Sequence, residues 1–253
     1  MTWESMLFVC VMVFLAGFVD SVAGGGGIIS LPAYIFVGLP PHQAYGCNKF
    51  SSAFGTTFSA ARFFLNGTLD LKVALVSAVG SFIGSGIASK IVLLLDEQVL
   101  KGMLVFILPI VAVIIMFKRN YGEENLAAQL QGVKVWILAM AIGFLIGGYD
   151  GLFGPGTGTF AIFAYTMIMK YDLRTASGNA KVLNLASNYA SLVTFAFAGT
   201  ILYKIAIPAA ICGIVGNYIG SGFAIKRGAK FIRPMMLVVM VLLLGKMLID
   251  FFI

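Results

Sequence analysis

Long apolar stretches, interrupted by short groups of charged residues, proline and glycine, follow one another along the whole chain. An apolar stretch of about 20 residues has the length of a membrane-spanning helix. Ten such segments can be separated: 5–23, 28–38, 43–65, 71–95, 99–117, 132–149, 158–170, 177–198, 203–225 and 233–253. The pattern predicts an all-α polytopic membrane protein with eight long helices and two short ones.

The two short segments, 28–38 and 158–170, would rise about 16 to 20 Å as helices, which is roughly half to two-thirds of the hydrocarbon core. Each follows a glycine-rich stretch, 24–27 in one case and 154–158 in the other. Peptide groups freed by a helix break are tolerated inside a membrane only where they line a cavity or are buried in protein. We therefore predict two glycine-broken half-helices. The alternative interpretation is that these glycines only let helices pack closely.

Three motifs of the first half of the chain recur in the same order in the second half. The first pair shares an aspartate and two glycines, the second shares a lysine, and the third is identical at six of nine positions. Ordered self-similarity of this kind indicates an internal duplication. The matched segments are 20–26 with 150–156, 46–49 with 178–181, and 80–88 with 216–224, at offsets of 130, 132 and 136.

The polar stretch 118–134 separates a first repeat, 1–117, from a second repeat, 135–253, and each repeat holds five membrane segments. An odd number of crossings makes the second repeat enter from the opposite side, so we predict inverted repeats. With ten crossings, 11 Lys and Arg residues fall on one side of the membrane and only 4 on the other. The positive-inside rule then predicts that both termini lie outside the cytoplasm.

The amino-acid composition argues against several classes of function. With 60% hydrophobic and 11% charged residues, the chain is not that of a soluble protein. The net charge of +7 is explained by membrane-flanking loops, and no basic face interleaved with aromatic residues indicates nucleic-acid binding. The sequence shows no cluster of metal ligands, no nucleophile–base pair and no phosphate-binding loop. We predict neither enzymatic activity nor a cofactor or metal.

Asp20 and Asp150 each precede a glycine-rich break by four residues. A carboxylate at the centre of a bilayer costs about 2.5–3.5 kcal/mol, so such residues are usually functional. They are candidates for binding a coupling proton or cation, and equally for capping the backbone of the glycine turn. Because carboxylates repel an anion, anion binding beside them requires that they be protonated or paired.

Lys49 and Lys181 occupy equivalent positions in the two repeats. They are interpreted as substrate ligands, as partners of the aspartates, or as side chains that extend to the headgroups. Neighbouring asparagines and the amides of the broken helices complete the candidate site. The further predicted substrate contacts are Asn48, Asn179, Asn184, Asn188, Gly25, Gly26, Gly156 and Thr157.

The segments 17–27 and 148–156, together with Asn48-Lys49 and the stretch 180–184, resemble the TauE/SafE family of bacterial membrane proteins, and the resemblance covers essentially the whole chain. It implies a permease for small anions, often sulfur-containing ones such as sulfite or sulfonates, in the bacterial inner membrane. It also implies about eight helices. Cys47 departs from the family pattern, in which we expect Thr.

The leading hypothesis is an alternating-access secondary transporter for a small anion: a sulfur oxyanion, an organosulfonate or a short carboxylate. A proton is the candidate coupling ion. A passive anion channel is the alternative, and a membrane scaffold without transport is a third hypothesis. The expected partners are the anion, the lipid bilayer, a proton or cation, and a second copy of the chain; nucleic acid is not among them.

Overall fold

The computed structural model describes residues 2–96, 99, 122–130 and 132–252, with side chains as far as 239 and at 241. The predicted segment 99–117 therefore lies, but for its first residue, outside the described residues. Within these ranges the chain forms helices and no strands. The α-helices are α1 (Trp3–Ala23), α2 (Gly27–Phe36), α3 (Pro41–Leu65), α4 (Leu71–Leu94), α5 (Val133–Leu152), α6 (Thr157–Met167), α7 (Leu173–Phe197), α8 (Tyr203–Arg227) and α9 (Ala229–Phe252), with a 3-10 turn at Ala127–Gln129.

Four of these helices, α1, α4, α5 and α8, are long and apolar enough to cross a membrane. Helices α3 and α7 are also 25 residues long, but they carry many of the buried polar side chains. The prediction of an all-helical membrane protein is confirmed. The short helices α2 and α6 have 10 and 11 residues, which corresponds to a rise of about 15 to 17 Å.

The two glycine-rich breaks touch each other. Gly24 ends α1 in the left-handed region (φ 77°), where its amide bonds the carbonyl of Asp20 at 2.7 Å. Gly158, at the start of α6, donates its amide to the carbonyl of Gly24 at 3.0 Å. A Cβ on either residue would overlap the backbone of the other, so only glycine permits this approach.

Small residues let α4 pack directly on α5, and α1 on α8. A Cβ at Gly84 would overlap the carbonyl of Phe144, and a Cβ at Gly216 would overlap that of Phe14. Both pairs of helices run parallel, because residues further along one helix contact residues further along the other. In α4 and α5 this series of contacts begins with Ser77 and Gly143. The glycine faces of 80–88 and 216–224 are thus packing surfaces, as predicted.

The helix packing favours a register between α4 and α8 that differs from the sequence match. Gly84 and Gly216 meet equivalent residues of α5 and α1, so α4 and α8 correspond at an offset of 132. The sequence match of 80–88 with 216–224 lies at 136, which is about one helical turn further. Small residues that recur every four positions allow such a shift, because the contact surface repeats after one turn.

Hydrogen bonds join the remaining long helices across the two halves. Ser81 and Ser85 of α4 donate to the carbonyls of Leu183 and Ser187 of α7, at 2.9 and 2.8 Å, so α4 and α7 run parallel. Helices α3 and α7 run antiparallel, because Gly46 lies against Thr200 and the opposite end of α3 lies against the start of α7. The polar stripe of α7, at Asn184, Ser187, Asn188 and Ser191, is buried in protein.

Two apolar clusters enclose the polar centre. One is built around α6 and includes Tyr165, Phe63 and Leu173. The other is built around α2 and includes Tyr34 and Phe195. Each short helix therefore forms the centre of one apolar cluster. The polar residues of α3 and α7 lie between the two clusters along their helices.

The packing of α4 yields a stability prediction with an internal control. Gly84→Ala should lower the free energy of unfolding by about 1–3 kcal/mol, because the added methyl group overlaps the backbone of α5. Gly86→Ala should be neutral or stabilising, since its Cβ would meet nothing nearer than Ala190 at 4.0 Å and alanine favours the helix. Thermal unfolding in detergent compares the two. Equal melting temperatures for both variants would contradict this packing.

Candidate functional site

The ammonium group of Lys49 is buried against α5. Its Nζ lies 2.6 Å from Asp150 Oδ2 and 2.8 Å from the Asp150 carbonyl oxygen, and it donates a third bond to Asn188 Oδ1 at 3.4 Å. The side chains of Lys49 and Asp150 are only 1% and 4% exposed. The second carboxylate oxygen of Asp150 accepts a bond from the Thr157 hydroxyl at 2.8 Å. Every donor of this lysine and both oxygens of this carboxylate therefore have partners.

Lys181 forms the corresponding buried pair with Asp20. Its Nζ lies 2.8 Å from Asp20 Oδ2 and 2.5 Å from the Asp20 carbonyl oxygen. The lysine is fully buried, whereas the Asp20 side chain is 18% exposed. Among the described residues, the other oxygen, Oδ1, accepts a hydrogen bond only from the amide of Gly26, at 3.4 Å. The lysines thus do not extend to the headgroups: each pairs with the aspartate of the opposite half.

The unequal environments of the two pairs have a cause in the sequence. Thr157 follows Gly156 at the start of α6, and the residue equivalent to Thr157 in the first half is Gly27. Glycine has no hydroxyl to donate to Asp20, and a Cβ at Gly27 would lie 3.3 Å from the backbone of Pro155. The two pairs are therefore related in position but differ in how completely they are enclosed.

A small polar cavity lies between the two pairs. Its free space is about 20 Å³, which is room for about one water molecule. Both aspartates and Lys49 line it, whereas Lys181 lies behind Asp20. The remaining lining residues are Gly27, Asn48, Ser52, Gly154, Asn184 and Asn188. A second cavity of the same size adjoins it and shares Asp20, Gly27 and Ser52.

Three of the four predicted asparagines are thus brought to the cavity. Asn188 bonds Asn184 at 2.6 Å and Thr56 at 3.3 Å, and Asn48 accepts a bond from Ser30 at 2.6 Å. Asn179 lies elsewhere: its Oδ1 accepts the amide of Asp70 at 2.8 Å, in the turn between α3 and α4. The equivalent residue, Cys47, contacts Leu202 in the turn before α8 in the same way, with 3.4 Å between Sγ and the Leu202 amide nitrogen.

The glycines that were predicted to contact the substrate also lie in different surroundings. Gly26 lines the second cavity and donates to Asp20. Gly25 packs against Val239 of α9, and Gly156 begins α6 in the left-handed region at φ 81°. The sequence interpretation overlooked Gly27 and Gly154, which line the central cavity. Their signal was present, since both belong to the glycine-rich breaks, but only the folded chain shows which of these glycines faces inward.

Comparison with known proteins decides the family. The sequence pattern of the sulfite exporter TauE/SafE family matches residues 9–247. The chain belongs to the TauE/SafE family. It is 33% identical to the probable membrane transporter protein ORF9 of a Sinorhizobium species, over 99% of this chain and 95% of that protein. No solved structure matches it.

Two further relatives are also named as probable membrane transporters. A probable membrane transporter protein of Haemophilus influenzae is 32% identical over 94% of this chain and 92% of that protein. The probable membrane transporter protein YfcA of Escherichia coli is 29% identical over 93% and 87%. Together with the four spanning helices, these relatives establish this TauE/SafE protein as a multi-pass membrane protein.

Two further features bear on the chemistry. Among the described residues, no three His, Cys, Asp or Glu side chains lie close enough together to hold a metal ion. Outside the spanning helices, Tyr171 donates to Asp70 Oδ2 at 2.7 Å. Burial and the neighbouring carboxylate raise the pKa of the Tyr171 phenol, so it stays a neutral donor and holds the loop before α7.

Proposed function

We propose that this protein is a secondary transporter of a small anion in the bacterial inner membrane. The observation that carries the proposal is the polar cavity beside the two glycine-rich breaks, which is lined by Lys49, Asp150 and Asp20, with Lys181 paired to Asp20 behind it. Ionisable groups inside a membrane protein are costly and usually mark a substrate or ion pathway. Broken helices that meet beside such groups are typical of substrate sites in secondary transporters.

The contacts support an inverted repeat as the frame of this transporter. Helices α1 and α3 both run parallel to α8, whereas α5 and α7 run parallel to α4. Since α3 and α4 form a hairpin through a short turn, equivalent helices of the two halves point in opposite directions. This pattern supports the repeats 1–117 and 135–253, with 118–134 as the linker. The distribution of Lys and Arg supports termini that lie outside the cytoplasm.

The charges of the site favour coupling to a proton. Asp20, Asp150, Lys49 and Lys181 sum to zero, so a bound monovalent anion leaves one uncompensated negative charge deep in the protein. One proton on an aspartate restores neutrality. That proton also releases a lysine from its partner, and the freed ammonium group then binds the anion.

Asp20 is the aspartate best suited to take the proton. Its side chain is 18% exposed against 4% for Asp150, and it lines both cavities. Its partner Lys181 has two hydrogen-bond acceptors among the described residues, whereas Lys49 has three. Fewer contacts therefore hold Lys181, so a proton on Asp20 frees its ammonium group more readily than that of Lys49. We assign Asp20 and Lys181 to coupling and binding, and Lys49 and Asp150 to holding the two halves together.

The size of the cavity and its donors define the substrate class. The amide of Asn184, the Ser52 hydroxyl and a freed lysine are suited to oxyanions. Both N–H groups of the Asn188 amide are instead donated to Thr56 and Asn184. Space for about one water molecule admits only a small anion after a modest movement of the helices. We propose sulfite, short sulfonates and short carboxylates, with Asn48 as a further contact. Passage of an anion through so small a cavity requires the helices to move apart on either side in turn, as alternating access provides.

Proteoliposomes test the function. Wild-type protein should take up one of these anions with saturation, and anion inside the vesicle should accelerate uptake from outside. Lys181→Met should lower uptake at least tenfold, because the binding ammonium group is lost. Lys204→Met, on the exposed surface of α8, is the matched control and should leave uptake unchanged.

The alternatives predict different results in the same assay. A channel would show single-channel currents and no acceleration by anion on the opposite side. A scaffold would show no uptake of any of these anions. Uptake that is unchanged in Lys181→Met would remove this lysine from the mechanism, whichever anion is carried.

A further inference from the structure

Five basic side chains gather where α8 ends and α9 begins, away from the central cavity. They line two adjoining clefts of about 480 and 540 Å³ that share Lys226 and Arg227. No acidic side chain among the described residues lines either cleft. The five residues are Arg62, Arg174, Lys226, Arg227 and Lys230.

Two of these guanidinium groups are held in place by neighbouring groups. Arg62 donates to the Tyr218 carbonyl oxygen, and its guanidinium carbon lies 4.2 Å from the centre of the Tyr218 ring. Arg227 lies over the rings of Phe223 and Phe231, at 5.2 and 5.7 Å. Such cation–π contacts orient a guanidinium group without neutralising it. The positive charge in the clefts is therefore partly preorganised.

The nearby acidic residues are engaged elsewhere. Asp172 caps α7 by accepting the amides of Arg174 and Thr175, and Asp70 accepts the Tyr171 hydroxyl. Glu123 pairs with Arg233, at 3.2 Å. Among the described residues, none of these three carboxylates forms an ion pair with a cation of the clefts, and no carboxylate lines the clefts.

The walls of the clefts change from charged to apolar along α8. Tyr218, Ile219 and Phe223 line one cleft and are 53%, 38% and 37% exposed. They lie on a helix that is long and apolar enough to span the membrane, and the cations lie at its end. A ligand that matches both parts has a negatively charged head and an apolar tail.

We propose that these clefts bind an anionic phospholipid, with its phosphate between Lys226, Arg227 and Arg174 and its acyl chains along Tyr218, Ile219 and Phe223. Basic pockets at the membrane surface, between helices, suit such headgroups. The site touches α3, α7, α8 and α9, so a bound lipid ties together helices of both halves. This inference rests on the membrane class and not on the identity of the transported anion.

Titration of the detergent-solubilised protein with lipid tests the proposal. Phosphatidylglycerol should raise the melting temperature in a saturable way, and phosphatidylcholine should not. Lys226→Gln with Arg227→Gln should lower the affinity for phosphatidylglycerol about thirtyfold, because each cation near an anionic lipid contributes roughly a factor of five in affinity. The lipid concentration that gives half of the melting-temperature shift should rise by the same factor. Lys72→Gln with Lys134→Gln removes two exposed cations elsewhere and should leave the effect unchanged.

Three outcomes would overturn the proposal. The two lipids could stabilise the protein equally, which would indicate a need for acyl chains alone. Inorganic phosphate could reproduce the full shift, which would indicate a free-anion site. The Lys226→Gln/Arg227→Gln variant, if it remains folded and keeps the wild-type response to phosphatidylglycerol, would show that these clefts are not the binding site.

Discussion

Asp20→Asn is expected to abolish proton-driven accumulation of the anion while leaving anion binding intact. With one coupling proton, wild-type uptake should rise by up to about tenfold for each unit by which the external pH falls. Asparagine resembles the protonated aspartate and cannot lose a proton, so Lys181 stays available to the anion at every pH. Uptake by the variant should then be independent of pH. Proteoliposomes with an imposed pH gradient measure both quantities.

The charged groups that face Asp20 define the controls for this experiment. They are Lys181 on α7 and, across the cavity, Lys49 on α3 and Asp150 on α5. Asp96→Asn, on the exposed residue that follows α4, should keep the wild-type pH dependence. Gradient-driven accumulation that persists in Asp20→Asn would refute the assignment of coupling to this residue, even if transport itself is confirmed.

Lys49→Met is expected to lower the free energy of unfolding by about 3–5 kcal/mol, the largest loss among these substitutions. It leaves the Asp150 carboxylate buried without its cation, and an unpaired buried charge is far more costly than the absence of both charges. Lys49→Met combined with Asp150→Asn should therefore recover most of the loss, since asparagine still accepts the Thr157 hydroxyl. Thermal unfolding of the three proteins in detergent provides the comparison.

Thermal unfolding also distinguishes the Lys49–Asp150 pair from the Lys181–Asp20 pair. Lys181→Met should cost less free energy of unfolding than Lys49→Met, because the more exposed Asp20 is less dependent on its partner to offset the cost of burial. A larger loss for Lys181→Met would show that the two pairs have exchanged roles. It would also remove the structural reason for assigning coupling to Asp20.

These two predictions separate transport from stability within one charged centre. Gly27 and Thr157 occupy equivalent positions in the two halves, as do Thr56 and Asn188, and Thr157 and Asn188 give the Lys49–Asp150 pair contacts that the Lys181–Asp20 pair lacks. In the proposed mechanism, these differences let the Lys181–Asp20 pair respond to the substrate while the Lys49–Asp150 pair stays closed. The proposed coupling role rests on these differences rather than on the shared aspartate.

Much of the fold was accessible from the sequence. Apolar length predicted the spanning helices α1, α4, α5 and α8, because an apolar helix in lipid has few other solutions. The short helices α2 and α6 begin within one residue of the predicted starts, since glycine runs interrupt helices locally. The central residues Asp20, Lys49, Asp150 and Lys181 were identified for the same local reason: charge is conspicuous in an apolar chain.

The partners of those charges were decided by the tertiary structure alone. Lys49 bonds Asp150 and Lys181 bonds Asp20, across 101 and 161 residues, and no local pattern specifies which aspartate meets which lysine. Asn179 was expected at the substrate and instead holds the turn at Asp70, because one helix turns neighbouring residues toward different surroundings. Local rules determine where a helix begins, ends and carries charge. Long-range packing of glycine surfaces, which repeat every turn and admit more than one register, determines what each charge meets.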